Sequence, residues 1–172
     1  IKLGEKSITT GYPDGGFHPL ESIERGAMAA YLYRLAGSPE FEAPAESPFS
    51  DVPTTHPFYK EIAWLKATGI TTGWEDGTFR PEDSINREAM AAFFYRAAGS
   101  PEVQQKATFT DVSGSPFVKE ISWFQFSKLS TGWPDSTFRP HDSVKRDAMA
   151  AYMMRYMGNF DSVKVSVPAP AK

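Results

Sequence analysis

The chain carries 172 residues with a net charge of −3; 41% are hydrophobic, 23% are charged and none is cysteine. That is the balance of a globular domain long enough to bury a core, and its slight acidity excludes a general attraction to nucleic acid or to an anionic membrane. Thiolate metal sites, disulfides and cysteine nucleophiles are excluded outright.

Residues 1–10 are short and mixed, and a start at Ile1 rather than Met marks a fragment or a processed chain. No signal peptide is visible, and no apolar run approaches the roughly 18 residues of a membrane span. From Gly11 onward one stretch is used three times: residues 11–34 (GYPDGGFHPLESIERGAMAAYLYR), 73–96 (GWEDGTFRPEDSINREAMAAFFYR) and 132–155 (GWPDSTFRPHDSVKRDAMAAYMMR). Repetition of this kind decides the architecture before any single motif does. In the first copy Gly11 and Asp14-Gly15 mark a turn, and Pro19 delays the helix. Met28, Tyr31, Leu32 and Leu35 then fall at i, i+3, i+4 and i+7, one stripe of a helix. Gly37-Ser38-Pro39 stops it. The later copies place Met90, Phe93, Phe94, Ala97 and Met149, Tyr152, Met153, Tyr156 on the same stripe.

Residues 38–48 and 100–108 read as surface linkers. Each leads into the first half of a unit, where Phe49-Ser50-Asp51-Val52 matches Phe109-Thr110-Asp111-Val112. Pro57 and Pro116 suit a helix's first turn, behind His56 and Ser115 as caps. Phe58, Ile62 and Leu65 form the core stripe, matched by Phe117, Ile121 and Phe124; Trp64 and Trp123 lie off it. Gly69 ends this helix in a left-handed residue, where the third unit has Lys128 at a cost of about 1 kcal/mol if that conformation is kept. The first unit lacks most of its leading helix. The reading is mainly α: three helix–loop–helix repeats with brief extended pieces in the loops, packed on one another in a pseudo-threefold cluster. The divisions are 1–39, 49–101, 109–158 and a tail, 159–172, in which Val163, Val165 and Val167 alternate like a strand; the repeats together form one domain.

The pattern F-[ST]-D-V, a helix, G-[YW]-x-D-[GS]-[GT]-F-[RH]-P, then [IV]-x-R before a second helix resembles the S-layer homology domain across about residues 1–158. The resemblance implies a three-pronged spindle on a central helical bundle. It also implies an extracellular place on the bacterial cell wall, where such domains hold exported proteins to a secondary cell-wall polysaccharide that often carries a pyruvyl ketal. In the family, grooves between repeats take the anionic sugar and the arginine of a T-R-A-E motif contacts it. Here the versions are Glu24-Arg25-Gly26-Ala27, Asn86-Arg87-Glu88-Ala89 and Lys145-Arg146-Asp147-Ala148: arginine stays, threonine is gone and the acid has moved or vanished. The polymer's identity is therefore open.

Arg25, Arg87 and Arg146 fall in the first turn of a helix, where a cation opposes the dipole at a cost of typically 0.3–1 kcal/mol. One reading is an anion site made of free backbone N–H groups, the dipole's positive end and a guanidinium fork. The other is an ion pair to Asp14, Asp76 or Asp135 in the preceding turns. Tyr12, Trp74 and Trp133 follow the turn glycine, as a sugar platform or as loop aromatics capping the core. Arg80 and Arg139, with His18 in the first copy, reach an anionic sugar or cover the surface. Arg34, Arg96 and Arg155 close their helices and read as structural. No calcium loop, metal site or cofactor motif is found. The histidines, His18, His56 and His141, occupy unrelated positions, and a catalytic pair is expected once per domain rather than in repeated copies.

The sequence thus points to a non-catalytic, exported cell-wall-binding module with a secondary cell-wall polysaccharide as its partner, without nucleic acid or a membrane span. Two rivals stand beside it: a surface-lattice or appendage subunit contacting neighbouring chains, and part of a wall-hydrolysing enzyme.

Overall fold

The computed structural model describes His18, residues 20–160 and residues 163–167. Among them are five helices, α1 (Arg25–Leu35), α2 (Tyr59–Thr68), α3 (Arg87–Ala97), α4 (Val118–Phe126) and α5 (Arg146–Phe160). Among the described residues there is no sheet, only three isolated antiparallel bridges: Ser22 to Lys145, Glu24 to Ser84 and Asn86 to Ser143. These join the short extended pieces ahead of α1, α3 and α5 into a closed triangle. Ile23 N–H donates to Val144 O at 2.9 Å, Val144 N–H to Ile85 O at 3.0 Å, and Ile85 N–H to Ile23 O at 2.8 Å. Each of the three thus donates once and accepts once around a pseudo-threefold axis. Their side chains are buried, so the β-branched residue of each [IV]-x-R triplet plugs the axis while the arginine begins the helix.

Helices α1, α3 and α5 bury the expected stripes: Met28, Met90 and Met149 are fully enclosed, as are Leu32, Phe94 and Tyr156. Aromatic side chains fill the middle, with Phe94 5.6 Å from Tyr156 and Phe124 5.1 Å from Tyr152 between centroids. A second face of α1 pairs with α2, and the same face of α3 pairs with α4. There Trp64 meets Tyr33 edge-on at 5.4 Å, and Trp123 meets Tyr95 at 5.7 Å. The off-stripe tryptophans are core residues. Met154 holds the place of Tyr33 and Tyr95 on α5 and is 42% exposed.

His56 Nδ1 and Ser115 Oγ each accept the N–H two residues on, from Phe58 and Phe117, both at 3.0 Å. These bonds close the turn ahead of each helix, but they are not the expected caps: the helices begin only at Tyr59 and Val118, their N-caps are Phe58 and Phe117, and Pro57 and Pro116 stand before the first turn instead of in it. Gly69 is left-handed at φ 81°, and Lys128 keeps that conformation at φ 60°. The linkers are pinned by tyrosines: Tyr95 OH donates to Pro101 O at 2.8 Å, and Tyr33 OH donates to Pro39 O. The tail departs from expectation. Helix α5 runs on to Phe160, and residues 163–167 form no strand. Val163 and Val165 instead pack on the core, and Lys164 N–H donates to Ala97 O at 2.7 Å.

Candidate functional site

Each repeated arginine starts its helix and is buried: Arg25, Arg87 and Arg146 are 5%, 3% and 5% exposed. The backbone N–H groups beside them are not free. Arg25 N–H donates to Asp83 O at 2.9 Å and Gly26 N–H to Pro81 O at 2.8 Å; Arg87 and Glu88 do the same to Asp142 O and Pro140 O, both at 3.0 Å. Arg146 N–H donates to Glu21 O at 2.9 Å. The expected helix-terminus anion cradle is thus occupied by carbonyls of the neighbouring unit, because docking those loops is what closes the triangle. What remains for a ligand is the guanidinium itself.

Arg25 and Arg87 each reach into the loop of the next unit. Arg25 Nε donates to Phe79 O at 2.8 Å, and its guanidinium carbon stands 4.1 Å from the Trp74 ring centroid. Arg87 Nε donates to Phe138 O at 2.7 Å and stands 4.3 Å from the Trp133 centroid. Neither makes an ion pair with Asp76 or Asp135, whose carboxylates face other partners. Asp76 accepts from Thr78 N–H and Oγ1 at 3.0 and 2.6 Å and pairs with Arg80 at 3.2 Å; Asp135 repeats this with Thr137 and with Arg139 at 3.5 Å. These hydrogen bonds, those from the threonine hydroxyls first, hold both carboxyls below the usual aspartate value. Arg146 lies 5.8 Å from the Tyr31 ring. Tyr12 and Asp14 lie outside the described residues.

Arg80 and Arg139 approach the same two indoles, each with its guanidinium carbon 4.2 Å from the centroid. Two groups of that size cannot both stand over one face at that height, so each indole lies between an inner and an outer arginine. Trp74 and Trp133 are therefore not bare platforms; their edges are what the solvent meets. The loop behind them is held by the aspartate of F-[ST]-D-V. Asp51 accepts from Phe79 N–H at 2.9 Å and Arg80 N–H at 2.7 Å, and Asp111 accepts from Phe138 and Arg139 N–H, both at 2.8 Å. The phenylalanine of that motif packs on the turn glycine. A Cβ on Gly73 would lie 2.9 Å from Thr78 O and closer still to the Phe49 ring; one on Gly132 would lie 2.6 Å from Thr137 O and closer still to Phe109. With φ at 72° and 74° as well, only glycine fits.

Two clefts open beside the inner arginines. One, of about 480 Å³, is bordered by Arg25, Trp74, Phe93 and Arg96; the other, of about 250 Å³, by Arg87, Trp133, Tyr152 and Arg155. Thr71, Thr72 and Gly73 line the first where Ser130, Thr131 and Gly132 line the second. Sequence reasoning passed over these triplets, although T-T-G and S-T-G recur ahead of each tryptophan, and it read Arg96 and Arg155 as structural, where the structure also sets them on the cleft borders. Asp76, Asp135, Arg80 and Arg139 stand outside the lining. Among the described residues the Arg25 side chain makes one hydrogen bond, from Nε, and burial pushes its pKa down to about 10. Arg87 Nη1 donates to Tyr152 OH at 2.6 Å, while its Nη2 is buried with no partner. A buried cation without a full set of acceptors is costly. Among the described residues no group of three or more acidic or histidine side chains is placed to hold a metal ion, and no helix is long and apolar enough to cross a membrane.

Residues 48–91 and 108–150 match the S-layer homology domain. The chain belongs to that family, and it is an extracellular module of the bacterial cell surface. It is 32% identical to Cell surface glycoprotein 1 of Acetivibrio thermocellus, with 87% of this chain and 7% of that protein aligned. It is 31% identical to the Cellulosome-anchoring protein of the same organism (84% of this chain, 34% of the relative) and 31% identical to an Endoglucanase of Bacillus sp. (86% and 16%). The chain spans only a minor part of the length of each.

Proposed function

We propose that the chain is a non-catalytic module that holds a larger exported protein to an anionic cell-wall polysaccharide through the clefts at Arg25 and Arg87. The carrying observation is a buried guanidinium beside each open cleft, Arg25 with one side-chain hydrogen bond among the described residues and Arg87 with a buried Nη2 that has no partner there. A sugar acid would meet the guanidinium in a charge-assisted bond. Thr72 or Thr131 and the indole edge offer its hydroxyls and C–H groups their partners. Two similar clefts on one body suit a polymer that repeats its acidic group, because the second contact is made at high effective concentration.

The test is retention of the chain by purified cell walls before and after the non-peptidoglycan polymer is stripped. The expected result is retention that stripping abolishes. Replacing Arg25 and Arg87 together by alanine lowers it by about tenfold or more, as loss of charge-assisted bonds implies. Retention that survives stripping would instead favour a lattice subunit contacting protein, and sugar or peptide release by the chain would favour a hydrolase.

A further inference from the structure

Arg80 and Arg139 are built at a cost. Both are left-handed, at φ 61° and 59°, a conformation that disfavours every side chain except glycine and, less so, asparagine and aspartate. The backbone is kept there by the Asp51 and Asp111 carboxylates, each taking two consecutive N–H groups. Glycine would sit more easily in the same frame, so retaining arginine twice calls for a role of the side chain. What the side chain does is visible: it lies on the outer face of Trp74 or Trp133, fixed by the threonine hydroxyl at 3.2 or 3.3 Å and by the aspartate two residues earlier in the turn. Neutral pyranoses bind tryptophan by laying their apolar C–H face on the indole, and here both faces are taken.

We infer that Arg80 and Arg139 are specificity-determining residues: by covering the outer indole face they deny neutral sugars a stacking platform and leave the buried inner arginine, which favours an acidic glycan, as the charged group at the cleft. This rests on the function proposed above, and it adds that selectivity against uncharged polymer lies in the outer arginines, outside the cleft lining. The inner arginines bind the acid group; the outer ones decide what else is refused.

The experiment compares binding of the purified non-peptidoglycan wall polymer with binding of the same polymer after its carboxyl groups are reduced to alcohols. The variant is Arg80→Gly with Arg139→Gly, which suits the left-handed backbone and so keeps the fold; its unfolding midpoint is measured alongside. The wild type is expected to prefer the native polymer by at least about tenfold. The variant is expected to lose most of that ratio, partly because it binds the reduced polymer more tightly than the wild type does. A variant that keeps the ratio, or a wild type that binds both polymers alike, overturns the inference. A wild type that binds neither polymer overturns the underlying function instead.

Discussion

Tyr152 on α5 accepts a 2.6 Å hydrogen bond from Arg87 Nη1, whereas the equivalent ring on α3, Phe93, gives Arg25 no such partner. That oxygen is one chemical difference between the two clefts; Asp83 and Glu88, which line the first alone, are another. On the function proposed above, the Arg25 guanidinium is the more available of the two to an acidic ligand, because Arg87 already spends one terminal nitrogen inside the protein. Exchanging the two residues tests this directly. Phe93→Tyr should raise stability by about 1 kcal/mol through one added hydrogen bond and weaken wall retention several-fold. Tyr152→Phe should lose a similar amount of stability, read from urea midpoints, and strengthen retention.

The F-[ST]-D-V aspartates should prove to be loop clamps. Asp111 holds two backbone N–H groups of a left-handed turn at 2.8 Å each, and both are orphaned in Asp111→Ala. A cost of about 1–3 kcal/mol follows, depending on how well water replaces the carboxylate. Because the clamped loop carries Trp133, its indole should become more accessible to acrylamide quenching. If stability falls and quenching does not change, Asp111 supports the helix pair instead of the loop.

The helices, their stops and their stripes were legible because each rests on local rules: Met28, Tyr31 and Leu32 at helical spacing, and glycine or a tolerated Lys128 at the stop. The second buried face was not. Trp64 and Tyr33 look like strays on their own helices, and only the packing of one unit's second helix on the next unit's first shows them to be partners. The same limit applied at the site. The recurrence of Arg25, Arg87 and Arg146 was plain, yet the choice between anion cradle and ion pair was posed within one unit. The structure answers it across units: carbonyls of the next loop fill the N–H groups, and its tryptophan takes the charge. The acidic partners fell to Arg80 and Arg139, four residues away in the same turn, which no helical or strand period singles out.

The pH dependence of binding follows from Arg25. Burial holds its pKa near 10, below the ordinary arginine value, with Asp83 opposing the shift. With the folded value depressed, the unfolded chain binds more protons between the two values, so the fold gains stability as pH rises through that window. Binding of an anion runs the other way, since it needs the charged form. Wall retention should therefore be flat at neutral pH and fall as pH passes about 10, while circular dichroism still reports a folded chain. On the acid side the depressed Asp76 and Asp135 carboxyls stabilise their loops above the ordinary carboxylate range. That support is lost as pH falls through their folded values, and tryptophan emission should report it; Asp76→Asn with Asp135→Asn should remove the transition.

Lys128 offers the cleanest check on the repeat as a physical unit. It ends α4 in the left-handed conformation at φ 60°, where Gly69 ends α2 at φ 81°. Its side chain is exposed and its N–H closes the turn on Gln125 O at 3.0 Å, a bond glycine would keep. Removing the Cβ strain should therefore stabilise the protein by about 1 kcal/mol, which for a chain of this size is a rise in melting temperature of roughly 2–4 °C. Gly69→Ala should lose a similar amount, since nothing lies within 4 Å of the added Cβ and only the backbone conformation is penalised. Opposite shifts of comparable size, read by calorimetry, would show that the two helix ends are the same device in two copies; a destabilised Lys128→Gly would show that the lysine side chain does something at α4 that the turn geometry does not reveal.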